Sequence, residues 1–132
     1  MAKSFDLTKI GLELQAAGKA INERISADFD VLDAHQVQEL SNKAQDLFIK
    51  SKSLFALAVV ALETEVSGSL TDLQNATDKI NKAIAKVAKI QKVVNIATDL
   101  VSIAGDLLAA DFKDIPDSVK SLVADVTAAP GT

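Results

Sequence analysis

The residue types best suited to chemistry in this 132-residue chain are carboxylates, lysines and a single imidazole. His35 follows Asp30 and Asp33 across a short turn. That arrangement suits a general base or a pH-sensitive contact, and equally an ordinary solvent-facing residue near a helix start. With one His and no Cys, the usual nucleophilic triads cannot be assembled. Asp28, Asp30 and Glu39 fall at positions one, three and twelve of a calcium-loop template. Asp33 stands where the template needs its turn glycine and Leu32 stands at a ligand position, so the match is poor. Asp111, Asp114 and Asp117 recur at threes around a helix end, where capping accounts for them. Asp99 and Asp106 lie on the polar side of their helix rather than in its seam, which makes them a poor buried pair. No glycine-rich phosphate loop, HExxH or Glu-x-x-His pattern occurs. The residues therefore support no enzyme, metal or cofactor.

Lys79, Lys82, Lys86 and Lys89, extended by Lys92, place five positive charges within fourteen residues, with Asp78 the one acid beside them. Such a row can grip anionic lipid headgroups or phosphates. Its alternative is a solvated face, loosely paired with Asp46, Glu63 or Glu65. Nucleic acid is not expected: arginine occurs once, at Arg24, and no aromatics interleave for base stacking. A second candidate is the run from Leu54 to Leu62, apolar around its whole circumference. Leu54, Phe55, Leu57, Val59, Val60 and Leu62 form either a core helix or an exposed patch that meets protein or membrane.

The elements that position these residues follow from composition and period. Hydrophobic residues make up 48% and aromatics only 4%, with five Gly and two Pro, which describes a helical protein. The lack of cysteine leaves the redox compartment open, and a net charge of −4 names no polyanionic partner. A first helix is predicted over residues 6–27 from the stripe Leu7, Ile10, Leu14, Ala17 and Ile21. Gly11 and Gly18 sit beside that stripe, either admitting a neighbour closely or merely loosening the helix. A turn at 28–33 with Asp30 or Asp33 as N-cap leads to a second helix over 34–66. Ser67-Gly68-Ser69 then turns the chain into an antiparallel hairpin with a third helix.

That third helix, from about 71 to 111, carries eleven apolar residues at alternating steps of three and four, from Leu73 to Leu108. A second row runs beside this seam. It is Lys79, Lys82, Lys86, Lys89 and then Val93, Ile96, Leu100, Ile103, Leu107. The aliphatic half predicts the centre of a bundle; the cationic half, with the end of the second helix, predicts a projecting two-helix finger. Pro116 suits the first turn of a short last helix, and 128–132 reads as a flexible tail.

The expected fold is all-α: an elongated three- to four-helix antiparallel bundle built on a long hairpin of the second and third helices, with a short C-terminal helix, as one domain over 1–127. No secretory signal is evident, and the most apolar stretch, 93–110, carries Asn95, Asp99 and Asp106, so a soluble cytoplasmic protein is the default. The expected function is a non-enzymatic interaction module whose hairpin binds a protein partner or a second copy. The alternative is a membrane-active protein whose apolar, lysine-flanked hairpin docks on an anionic bilayer. In plan that arrangement resembles the α-helical pore-forming toxins, with no motif to carry over. The absence of Trp and Tyr, the usual interfacial anchors, counts against it.

Overall fold

Antiparallel pairing governs the first half of the chain. The computed structural model describes residues 2–127; the expected tail at 128–132 lies outside the described residues. In order, the elements are β1 (Lys3–Asp6), α1 (Thr8–Ala27), α2 (Ala34–Leu57), β2 (Val59–Leu62), α3 (Thr64–Asn75), α4 (Thr77–Lys86), α5 (Ile90–Leu108) and α6 (Ile115–Thr127). α1 and α2 form a hairpin about the turn at 28–33. Gly11 and Gly18 open α1 to Phe55 and Phe48 of α2: a Cβ at Gly11 would stand 2.7 Å from the Phe55 ring, and one at Gly18 3.0 Å from the Phe48 ring. Glycines and phenylalanines are both seven apart, so ring and gap meet twice in register. The same pairing continues past the helices as a two-stranded ribbon, with Phe5 opposite Val60 and Lys3 opposite Leu62.

Local chemistry fixes both ends of this hairpin. Asp33 and Gln36 form a reciprocal capping box at the start of α2: Asp33 Oδ1 accepts from the Gln36 N–H at 2.8 Å, and Gln36 Oε1 from the Asp33 N–H at 3.0 Å. At the other end, Asp6 Oδ1 accepts from the Thr8 N–H and hydroxyl. The hydroxyl bond, followed by the backbone bond, holds the Asp6 carboxyl below its usual range. α2 stops at Ala58, whose φ of 65° throws the chain out of the helix. The Ala58 carbonyl then accepts from the Leu7 N–H at 2.8 Å, and the β-branched pair Val59-Val60 continues as strand.

The second half differs from expectation in three places, each with an identifiable cause. The helix predicted over 34–66 ends at Leu57, because β1 is available to pair with residues 59–62. The apolar run is therefore divided between the last turn of α2 and a strand and does not project as a helical finger. Gly68 is not a turn: α3 starts at Thr64 and runs straight through it. Finally, the helix predicted over 71–111 is interrupted at Ala76 and again at 87–89, where Val87 (ψ 140°) and Lys89 (ψ 119°) are extended. The second break coincides with the change from lysine to aliphatic residues in the row beside the seam.

The breaks change which helices meet. α2 packs on α1 and α5, whereas α3 and α4 pack on α1 and α6 rather than on α2. α4 runs parallel to α1, since Ile84 and Val87 lie at Arg24 while Thr77 lies at Glu13. α5 returns in the opposite sense, and α6 reverses once more, bringing Asp125 beside Asp99. Reversal lets α5 be covered on several sides. Val93, Ile96, Leu100, Ile103 and Leu107 are all at most 1% exposed, as a row without polar relief requires. The result is a mostly helical protein, with six helices and one small antiparallel sheet among the described residues.

Two positions carry a residue poorly matched to its backbone. A Cβ at Gly68 would meet nothing within 4 Å, so glycine there only weakens α3. At the end of α5, Ala110 adopts φ 57° while its N–H bonds the Leu107 carbonyl and the Asp111 N–H bonds the Asp106 carbonyl. That is a helix C-cap of the kind usually made by glycine. Gly68→Ala and Ala110→Gly are each expected to raise stability by roughly 0.5–1 kcal/mol in urea unfolding.

Candidate functional site

The lysines that the sequence singles out converge on one groove. Lys79, Lys82 and Lys86 on α4 wall a depression of about 350 Å³ against α6, floored by Ala83, Val87 and Val126. Lys79 also borders a neighbouring depression of about 530 Å³ between α3 and α6, where Glu65, Asp72 and Asp117 stand with Lys79 and Lys120. The groove along α6 thus passes from mixed charge between α3 and α6 to lysine alone between α4 and α6. Lys79, Lys82, Lys86 and Lys89 are exposed, and among the described residues none of the four is within ion-pair distance of an acid. Lys92, at the first turn of α5, is half-buried and does not extend the exposed row.

The apolar candidates are not brought together. Leu54 and Leu62 are core residues. Phe55 is half-buried against Gly11, and Val60 is half-buried in the ribbon. Only Leu57 and Val59 stand in solvent, at 43% and 53% exposure. His35 is exposed in the first turn of α2, with Nε2 4.0 Å from Glu39. Asp28 is engaged by Arg24 rather than turned toward Asp30. Among the described residues, no group of His, Cys, Asp or Glu is placed to hold a metal ion, and no helix is long and apolar enough to cross a membrane.

Two residues not singled out from the sequence dominate the α1–α4 interface. Arg24 is 8% exposed. Its Nη1 donates to the Ile84 carbonyl at 2.9 Å and its Nη2 to the Val87 carbonyl at 2.8 Å, while Nε pairs with Asp28. The Ile84 carbonyl lies in the last turn of α4 and the Val87 carbonyl at its C-cap, and both lack helical donors where the chain breaks. Glu13, eleven residues earlier on α1, is 3% exposed, and neither carboxyl oxygen has a hydrogen-bond partner among the described residues. Nearby Thr77 donates its hydroxyl to the Gln74 carbonyl instead. Burial pushes the Glu13 carboxyl up to about 8, with the adjacent Thr77 hydroxyl acting in the opposite direction. Both residues carry a sequence signal. Glu13 falls between Ile10 and Ala17, and Arg24 three past Ile21, so each continues the apolar stripe of the first helix.

Acids gather on the other flank of α6. Burial raises the Asp99 carboxyl, and Asp125 opposite adds to the rise. Asp106 is likewise raised, by burial and then by Asp111 and Asp114.

Removing the guanidinium orphans two carbonyls, so Arg24→Met is expected to cost about 2–4 kcal/mol in denaturant unfolding. Arg24→Lys is expected to recover only part of that loss, because one ammonium cannot reproduce the fork. Glu13 sets a pH dependence of the opposite sign to an ion-paired carboxylate. The folded chain holds this proton up to about pH 8, whereas the unfolded chain releases it near 4.5. Stability therefore falls as pH rises through that window, by on the order of 1 kcal/mol per unit. Glu13→Gln should leave stability at pH 5 nearly unchanged, raise it at pH 8 and flatten the profile between, as read by thermal unfolding at a series of pH values.

Comparison of the chain with protein-family models, with curated proteins and with solved structures returns no match.

Proposed function

We propose that the protein is a non-enzymatic interaction module that binds the acidic face of another protein surface in the α4–α6 groove. The observation that carries this reading is the groove itself: an apolar floor of Ala83, Val87 and Val126 beside a wall of lysines at 79, 82 and 86 that have no ion-pair partner among the described residues. Three cations held on one side of a trough cost free energy through mutual repulsion, which a row of carboxylates relieves. A trough along a helix pair is the shape that accepts an amphipathic helix, with apolar side chains down and acids toward the lysines. Steering by the same charges speeds encounter and makes it salt-sensitive.

Bilayer docking is the weaker reading. Among the described residues, the large apolar side chains that stand in solvent are Leu12, Phe29, Val31, Ile49, Leu57 and Val59. None of these belongs to α4 or α6, so none is positioned to enter acyl chains beside the cationic surface. Phe29 and Val31 share their turn with Asp28, Asp30 and Asp33, which an anionic surface repels.

A synthetic amphipathic helix with a Leu/Ala stripe flanked by glutamates serves as the probe. Fluorescence anisotropy should show binding that weakens about tenfold or more in Lys82→Glu/Lys86→Glu, and weakens with added salt. Equal affinity of the variant would sink the groove. Co-sedimentation with phosphatidylserine vesicles but no peptide binding would replace this reading with the membrane one.

A further inference from the structure

The turn between α1 and α2 displays the two most exposed large apolar side chains among the described residues, Phe29 at 61% and Val31 at 79%. Its sequence, Asp28-Phe29-Asp30-Val31-Leu32-Asp33, sets carboxylates between apolar residues and contains no base. The backbone there is firmly held. The Val31 and Leu32 N–H groups both donate to the Asp28 carbonyl, at 2.9 and 3.0 Å. Arg24 engages the Asp28 carboxylate, the capping box ties Asp33 to Gln36, and half-buried Leu32 packs on the core. Phe29 and Val31 are thus presented outward on a stiff knob, with Asp30 and Asp33 exposed beside them. Large apolar side chains fixed in water are unfavourable until a partner covers them, and a turn that is already ordered loses little entropy when one does.

We infer that the α1–α2 knob of one copy seats in the α4–α6 groove of a second copy, with Phe29 and Val31 on the floor of Ala83, Val87 and Val126 and with Asp30 and Asp33 toward Lys82 and Lys86. The inference rests on the groove being a docking surface, as proposed above, and names its occupant. Each feature lacks what the other supplies. Among the described residues, the groove between α4 and α6 is lined by Lys79, Lys82 and Lys86 and by no acid. Asp30 and these three lysines have no ion-pair partner among the described residues. The contact asks for apolar side chains toward the floor and carboxylates toward the lysine wall, and the alternation along the turn supplies both. The knob does not fill the groove of its own chain. Neither Phe29 nor Val31 lines it, and α4 meets α1 along Asn81 and Ala85 but α6 along Lys79, Lys82 and Lys86. Both features nonetheless lie at one end of the molecule, since Arg24, one helical turn before Asp28, holds the carbonyl of Val87, whose side chain floors the groove. A two-fold axis at that end brings each knob to the other copy's groove, so the contact is made twice and the assembly closes at two copies.

Sedimentation velocity on the full chain at about 50 mM and about 500 mM NaCl tests this, since contacts between exposed charges are screened over that range. A dimer is expected at low salt, with an apparent Kd about tenfold or more weaker at high salt. Asp30→Lys and Lys82→Glu/Lys86→Glu are each expected to be monomeric alone and to pair when mixed, because one native contact remains and the other is restored with its charges exchanged. Phe29→Ser is expected to weaken pairing about tenfold or more while leaving the thermal unfolding of the monomer at high salt unchanged. The chain lacks cysteine, so Val31→Cys mixed with Lys86→Cys reports the contact directly. A disulfide joining the two different chains should form, whereas Leu12→Cys, exposed on α1, should not cross-link to Val31→Cys. A monomer at low salt up to high micromolar concentration overturns the inference. So does a dimer that is indifferent to Asp30→Lys and Phe29→Ser. A chain that binds the acidic peptide but stays monomeric keeps the groove and loses only the self-pairing; a chain that does neither loses both.

Discussion

One buried guanidinium makes the architecture possible. A helix running without interruption from α4 into α5 would bond the Ile84 and Val87 carbonyls to main-chain N–H groups four residues on. Breaking it there strands both carbonyls, and Arg24 supplies both replacements from α1. The exchange is favourable because it frees α5 to turn back. Val93, Ile96, Leu100, Ile103 and Leu107 would otherwise face water along a single extended rod; reversed, they are covered. A charge-assisted clamp on α1 thus permits apolar burial on α5, two elements that hardly meet directly.

How much of this was legible in the chain depends on which physical term decides each feature. Helix content, the stripe on α1, the Asp33 cap and the first turn of α6 follow from period and local chemistry, and all are present. The break at 87–89 is silent in the heptad, because Val87 and Val94 are both buried on either side of it and the seam stays in phase. Its trace lay in the neighbouring row, where lysine gives way to aliphatics. The ribbon was hidden for another reason. Leu54 to Leu62 satisfies a helix as well as a strand, and the outcome turns on β1, a partner more than fifty residues away in sequence. Gly68 misled because a glycine between serines suits a turn, yet tertiary packing overrides a propensity of about 1 kcal/mol. The lysines were legible as a face but not as one wall of a groove, since the other wall comes from α6.

The two buried ionisable side chains on α1 are accommodated differently in one interface. Arg24 is fully engaged, with Nε, Nη1 and Nη2 each donating a hydrogen bond. Glu13 lies in the same seam, too far along the helix to share that partner, and is held as the neutral acid at neutral pH. Local order and acid–base behaviour are therefore coupled through α4. The element that carries the lysine wall is secured at its C-terminal end by the Arg24 fork and loosened at its N-terminal end as Glu13 ionises.

The ribbon also bears on how the chain assembles. Residues 3–62 close like a zip: the ribbon pairs and, one residue out of step with them, both glycine–phenylalanine contacts nest about the turn at 28–33. Such a unit grows outward from a small loop, each step adding little closure entropy to the last. The Arg24 contacts to Ile84 and Val87 bridge sixty and sixty-three residues, and they need α1 already in place as a template. Assembly is thus hierarchical, a locally nucleated hairpin followed by docking of the later helices. The strands at its open end hold the ends of α1 and α2 against fraying while the remainder of the chain is still searching.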